Sequence, residues 1–308
     1  MTDFFNYFPV TSKASYFVPD MQERVRRLLS GLDEDSVQTV TRTLQILKTL
    51  TDADFTGAPH PELSDVFTPD EVAAIRANDA KLADGVKQIA PDTWAFDDYL
   101  LPISEFEYSS FIDHYGLDAI DRAAVPDDSV ILDVGGYVGD TAILFRRFFP
   151  ENKVYTFEPM TDNFALTQKT IAMNHAEGMI VPVQLALSDV PESAGRAISL
   201  RSISRLDDTG NTVFPVDTLD HWMVKNQIGR VGLLKVDIEG GEQKFLRGAE
   251  QTIRKNRPLM LLSIYHNPDD YFGIKPWVEG LNLGYKFKIF KPMYRNVITE
   301  TLLICIPQ

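Results

Sequence analysis

Residues 131–149 read ILDVGGYVGDTAILFRRFF. An apolar run closes on an acid, a glycine-broken turn follows, and an amphipathic helix begins. This succession sets the carboxyl end of a strand against the amino end of a helix, where backbone N–H groups gather and nucleotides are held. Beyond about residue 128 the same alternation continues. Strands are expected at 130–134, 153–157, 180–186, 232–237, 259–265, 285–290 and 301–306, and helices at about 140–149, 162–174, 242–255 and 270–281. Most of the parallel candidates are continuous Val/Ile/Leu/Phe runs, as in strands covered on both faces. The last two strands have no helix between them and read as a hairpin. The fold class is therefore α/β: a doubly wound, seven-stranded, mostly parallel sheet of Rossmann-like type.

Ahead of this, residues 1 to about 125 read as helical. Val37, Val40, Leu44, Leu47 and Leu50 recur at helical spacing. In TPDEV, Thr68 is an N-cap, Pro69 opens the helix and Glu71 closes a capping box, which predicts a helix over about 69–84. GAPHP at 57–61 reads as a linker, and SEFEYSSFIDHYG at 104–116 as a helix stopped by Gly116. The division expected is a helical extension over 1–107 and a ligand-binding domain over 108–308. The extension covers the domain or mediates contacts in a homo-oligomer such as a dimer, or it shapes an acceptor site.

The chain carries a net charge of −14, so a phosphate backbone is repelled unless a basic patch intervenes. The densest candidate, Lys286, Lys288, Lys291 and Arg295, alternates with Tyr285, Phe287 and Ile289 and reads as the solvated face of an edge strand. No nucleic-acid partner is expected. The single cysteine, Cys305, excludes a disulfide within the chain and reads as a core residue. The opening MTDFFNYFPV has neither a cationic segment nor a small-residue cleavage site, so no signal peptide is expected. No apolar run approaches the ~18 residues of a membrane span. A cytoplasmic protein is the expectation.

The glycine turn selects its ligand by charge. A pyrophosphate fingerprint would be G-x-G-x-x-G, and no phase of Asp133-Val-Gly135-Gly136-Tyr137-Val-Gly139-Asp140 gives it. Asp133 and Asp140 would both repel a diphosphate, whereas S-adenosylmethionine carries a sulfonium and an ammonium and accepts carboxylates nearby. Glu158, at the end of the next strand, is placed to accept two ribose hydroxyls, a feature shared with NAD-binding folds.

On these residues the sequence resembles the FkbM family of methyltransferases that use S-adenosylmethionine. The resemblance covers about residues 108–308 and rests on DVGGYVGDT (133–141), VYTFEP (154–159), LALSD (185–189), VDTLD (216–220), LLKVDIEGGEQKFLRGA (233–249), SIYHNPDDYFGIKPW (263–277) and ETLLIC (300–305). It implies a class I methyltransferase that modifies hydroxyl oxygens of macrolide-type natural products or sugars. An extension such as 1–107 is similar to those of members encoded with bacterial surface-polysaccharide genes. The resemblance also implies that Asp133, Gly135, Tyr137 and Gly139 surround the methionine portion, and Asp140 and Asp237 are counted with the donor site. Glu158 would take the ribose, Pro159 and Met160 would line the adenine, and Ser188 and Asp189 would lie near its amine.

An alcohol acceptor must lose its proton to a base or have its pKa lowered by a metal. In KVDIEGGEQ, Asp237 and Glu239 leave the fourth strand two apart, with Glu242 at the helix start, and His266 closes the fifth strand. Asp237 and Glu239 then hold Mg²⁺ with His266 as base, or they cap the following helix beside a structural histidine. Tyr265 and Asn267 frame the pocket, and His60, His114, His175 and His221 read as structural. The polar stretch 195–211 is an exposed hairpin, or a lid with Arg201 or Arg205 on an acidic sugar. The function expected is O-methylation of a hydroxyl on a small-molecule or glycan acceptor. The alternatives are an NAD-dependent sugar oxidoreductase or epimerase, and a catalytically idle partner subunit.

Overall fold

The computed structural model describes residue 16 and residues 20–56, 63–200, 203–206, 212–292 and 297–308. GAPHP, His60, Arg201 and Arg295 lie outside the described residues, as does the side chain of Arg205. The chain begins with helices α1 (Met21–Leu29), α2 (Glu34–Thr56), α3 (Leu63–Val66) and α4 (Pro69–Gly85), then forms strands β1 (Lys87–Ala90), β2 (Thr93–Phe96) and β3 (Tyr99–Leu101) and the single turn α5 (Tyr108–Phe111). The alternating half follows: β4 (Val130–Val134), α6 (Asp140–Phe148), β5 (Lys153–Phe157), α7 (Thr161–Met173) and β6 (Ile180–Val183). Next come β7 (Ala186–Leu187), β8 (Ser193–Leu200), β9 (Ile203–Leu206), β10 (Thr212–Asp217) and α8 (Leu219–Lys225). The last elements are β11 (Val231–Val236), α9 (Glu242–Gly248), α10 (Glu250–Asn256), β12 (Leu259–Ser263), α11 (Pro268–Gly280), β13 (Lys286–Phe290) and β14 (Leu302–Ile306).

The main sheet has seven strands in the order β13-β14-β12-β11-β4-β5-β6. The five from β12 to β6 run parallel, and β14 is antiparallel to both β12 and β13. This is the expected doubly wound sheet with its hairpin. Side chains alternate across it with period two. Leu132, Leu234, Met260, Leu262, Leu303 and Cys305 enter one core, and Ile131, Leu233, Leu259, Leu261, Leu302 and Ile304 the other. The first core also takes Leu28, Val40, Leu44, Leu47 and Leu50 from α1 and α2, so the expected helical stripe is buried against the sheet. Cys305 is fully buried in strand β14, which lies between β13 and β12. The Thr68–Glu71 capping box is formed in full.

Four expectations need correction. Residues 87–101 are not helical but fold as a three-stranded antiparallel sheet, β1-β2-β3, turned at Asp92 (φ +50°) and Asp97 (φ +48°). The helix expected at 104–116 is confined to α5, because His114 (φ +45°), Tyr115 (φ +52°) and Gly116 (φ +74°) take the left-handed region in succession. The strand expected at 180–186 divides. β6 stays in the main sheet, while β7 joins a second, four-stranded sheet in the order β7-β10-β8-β9. That sheet contains the β8–β9 hairpin within the polar stretch. Finally, Lys286 and Lys288 are exposed on edge strand β13, but Lys291 is half-buried. Its Nζ donates to Pro292 O, and burial pushes it down to about 8 against Glu300 and Asp113. Among the described residues, no helix is long and apolar enough to cross a membrane.

Candidate active site

The glycine turn sits at the carboxyl ends of β4 and β5, where a doubly wound sheet opens its ligand crevice. Gly135 adopts φ +84°, and a Cβ there would lie 1.7 Å from Asp237 O. Only glycine lets the end of β11 pass so close. Gly135 N and Gly136 N both donate to Phe157 O, at 3.1 and 2.9 Å, tying the turn to β5. Tyr137 is held in the left-handed region at φ +46°. Its N–H donates to Glu158 Oε2 (3.1 Å) and its carbonyl accepts from Thr167 Oγ1 (2.8 Å). Gly139, at φ +87°, caps α6.

The two aspartates expected to face the ligand are engaged inside the protein. Asp133 is fully buried. It accepts from Thr156 Oγ1 (2.7 Å) and Thr141 Oγ1 (3.0 Å) and pairs with Lys235 Nζ at 3.2 Å. Lys235 Nζ also donates to Gly135 O, which makes it the clamp between strand, turn and acid. Burial opposes the Lys235 charge, yet Asp133, Asp237 and Asp140 hold its pKa above the usual lysine value. Asp140 is buried and accepts from Ser110 Oγ (2.9 Å). The charge that was expected to repel a diphosphate is therefore partly cancelled at Asp133. Asp133 is tied to the turn through Lys235, and Asp140 is tied to α5 through Ser110.

Glu158 is 6% exposed, and its carboxylate is held by backbone donors and by the Asn163 side chain. Oε1 accepts from Met160 N (2.8 Å) and Oε2 from Tyr137 N. Burial pushes its pKa up to about 7, in spite of these N–H donors. Beside it Pro159 is half-buried, and Met160 packs with Ala186, Phe214 and Val216 in an apolar cluster. Ser188 N donates to Asp217 O, and Ser188 Oγ to Asp189 Oδ1 (3.3 Å). Asp189 Oδ2 is paired with Arg247 at 2.9 Å. Burial raises the Asp189 pKa, but Arg247 more than offsets it and holds the group below the ordinary value.

The ends of β11 and β12 bring Asp237, Glu239, Glu242 and His266 together. His266 Nε2 lies 3.3 Å from Asp237 Oδ1 and 3.6 Å from Glu239 Oε2, and Nδ1 lies 3.0 Å from Glu242 Oε1. Glu242 Oε1 also accepts from Ile238 N (2.9 Å), closing the loop onto α9. Burial alone would lower the His266 pKa, but Glu242, Asp237 and Glu239 push it up to about 10. Burial raises Glu239 to about 7. The Tyr265 ring tilts over His266 with centroids 4.2 Å apart, and Asn267 caps α11 by accepting from Asp270 N. His114 and His221 instead pair with Asp118 and Asp217, as structural residues would.

Three residues outside the expected set complete the cluster. Tyr115 Oη donates to Asp237 Oδ2 (2.9 Å), and Tyr265 Oη to Glu300 Oε1 (3.3 Å). Glu107 lies in the same field: the nearby acids Asp140, Glu300 and Asp237 hold its pKa above the ordinary range. None of these stands near the glycine turn or KVDIEGGEQ in sequence. The left-handed run at 114–116 and the hairpin position of Glu300 bring them in. Lys235 did carry a signal, as the one charge in the buried strand VGLLKV.

A parallel sheet with a reversed terminal hairpin, a glycine turn after its first strand and an acid ending the second define a class I methyltransferase fold. The chain belongs to the FkbM methyltransferase family: the model of the methyltransferase FkbM domain matches residues 133–287. It is 26% identical over 181 residues to Methyltransferase 1 of Beauveria bassiana, covering 50% of this chain and 72% of that one. It is 24% identical over 132 residues to the hexuronic acid methyltransferase AglP of Haloferax volcanii, covering 42% and 53% respectively. The crystal structure of an FkbM methyltransferase from Methylobacillus flagellatus superposes with a TM-score of 0.55 at 14% identity, over 92% of this chain. The chain spans 58% of the length of that structure. Family membership sets the oxidoreductase alternative aside.

Proposed function

We propose that this protein is an S-adenosylmethionine-dependent O-methyltransferase acting on a hydroxyl of a sugar, a glycan or a glycosylated metabolite. The observation that carries the reading is Glu158. A buried carboxylate stands beside a glycine turn at the end of β5, a place that suits a ligand offering two adjacent hydroxyls. The turn itself fits the donor, since it lies at the carboxyl ends of β4 and β5, with Gly135 and Gly139 packing it against Asp237 O and Thr167. Pro159 and Met160 would lie against the adenine, with Ser188 and Asp189 beyond them, and Gly135, Tyr137 and Gly139 would border the methionine portion. Bound there, S-adenosylmethionine supplies an electrophilic methyl group.

The acceptor side falls to Asp237, Glu239 and His266. With a pKa near 10, His266 is an imidazolium at neutral pH unless something displaces its proton. It then orients the carboxylates, and removal of the acceptor's proton passes to Glu239, the most exposed of the acids in contact with it at 34%. The residues do not fit Mg²⁺ on Asp237 and Glu239. That ion asks for a near-octahedral shell of oxygens, and here an imidazole nitrogen stands against both carboxylates. The AglP likeness supports a sugar-type acceptor, and the single buried thiol suits a cytoplasmic setting.

Calorimetric titration with S-adenosylhomocysteine tests the donor reading. The wild type is expected to bind, and Gly135→Arg and Glu158→Ala to lose measurable binding. A wild type that releases no heat, or variants that bind undiminished, would sink it.

A further inference from the structure

The side chains around His266 stand in an arrangement that a proton leaves incomplete. Asp237, Glu242 and His266 offer ligand atoms that all lie within 4.8 Å of one another. The His266 side chain is 8% exposed and that of Glu242 is fully buried. Buried polar atoms nearly always find a partner. Yet Glu242 Oε2 and both ring nitrogens of His266 make no hydrogen bond of acceptable geometry. The contacts of Nε2, 3.3 Å to Asp237 Oδ1 and 3.6 Å to Glu239 Oε2, exceed the ~2.7–2.9 Å of a charge-assisted hydrogen bond. They lie close to the edges of roughly 3.0–3.5 Å that neighbouring ligands make around an ion held at about 2.1 Å.

The charge balance points the same way. Three carboxylates, on Asp237, Glu239 and Glu242, surround one imidazole. The nearby cation, Lys235 Nζ, is already spent on Asp133 and on Gly135 O. Acids thus outnumber bases around a largely buried imidazole, an arrangement suited to a counter-ion.

We infer that His266, Asp237 and Glu242 form a binding site for a divalent first-row transition-metal ion, with Glu239 at its rim. An imidazole nitrogen beside carboxylate oxygens selects Mn²⁺, Fe²⁺, Co²⁺ or Zn²⁺ over Mg²⁺ and Ca²⁺. His266 is then a ligand and not a base. Glu242 is fixed for this role before any ion arrives, because Ile238 N–H holds one of its oxygens. The inference goes beyond the donor reading and does not depend on it.

The test uses the full chain, stripped with a chelator and titrated with Mn²⁺ while free Mn²⁺ is followed by electron paramagnetic resonance. Zn²⁺ calorimetry runs in parallel. One ion per chain is expected, with affinity reduced about tenfold or more in His266→Ala and in Asp237→Asn. His114→Ala, which removes an exposed histidine paired with Asp118, should bind as the wild type does. Because Glu242 also closes the α9 loop, Glu242→Gln is scored only if its thermal midpoint stays near that of the wild type. His266→Ala and Asp237→Asn decide the matter otherwise. Neither ion binding to the wild type, or binding unchanged in both of these variants, overturns the inference. S-adenosylhomocysteine titrated into the stripped protein separates the two readings: donor binding without metal binding removes this one alone, and the reverse removes only the donor reading.

Discussion

Glu158 couples the ligand site to pH through one proton. Its folded pKa of about 7 lies above the ordinary 4.5, with burial as the cause. Between these values the folded chain keeps a proton that the unfolded chain has lost. The group's contribution to stability is thus fully present below pH 4.5 and is lost as pH rises through 7. Ligand binding has the opposite slope, because hydroxyl donors need the ionised carboxylate. Affinity for S-adenosylhomocysteine, measured by calorimetry, should weaken as pH falls from about 8 to about 6, and Glu158→Gln should flatten that profile. An equal slope in Glu158→Gln would assign the proton to another group. Glu158 was legible from its place at a strand end. Asp133 was legible as important but not in its role, because its partner Lys235 lies 102 positions along the chain and reaches it only through the β4–β11 pairing.

At the scale of the element, the turn after β4 is constrained twice at Gly135, by its φ of +84° and by Asp237 O. Gly178, at φ +81° with nothing within 4 Å of its would-be Cβ, isolates the first constraint. Gly178→Ala should cost about 1 kcal/mol and Gly135→Ala more than about 2 kcal/mol, a difference readable as thermal midpoints by scanning calorimetry. Equal losses would mean that the approach of β11 is not what demands glycine. The helices of residues 130–306 were readable from their period and the parallel strands from their continuous apolar runs, buried on both faces. The β1–β3 sheet was not. Its strands are three or four residues long, too short for a period to assert itself. The aspartates at 92 and 97 that turn it belong to the few residue types that tolerate positive φ. The helix expected at 104–116 failed for a related reason: Tyr115 is drawn into the left-handed region, where its hydroxyl meets Asp237.

Across the whole molecule, the proposed boundary between 107 and 108 does not separate two cores. Leu44, Leu47 and Leu50 of α2 share a cluster with Met260, Leu262 and Leu303 of the sheet. Tyr16 Oη donates to Tyr265 O, and Ile289 N to Ser36 Oγ. The helices and the sheet should therefore unfold together, in one transition that superposes when followed by far-ultraviolet circular dichroism and by tryptophan fluorescence. Two separated transitions would make the N-terminal helices an independent unit. The acid cluster was invisible as a cluster for the same reason of scale, since Glu107, Asp237, His266 and Glu300 come from four separate segments that meet only in the folded chain.

Cys305 carries a consequence for measurement. The chain has one thiol, and it lies fully buried in a strand flanked on both sides within the main sheet. A thiol reagent can reach it only when that sheet parts, so every modification event records one opening of the molecule's centre. The protein thus carries its own chemical clock: the rate of labelling, read in native buffer without denaturant, reports how readily the fold comes undone.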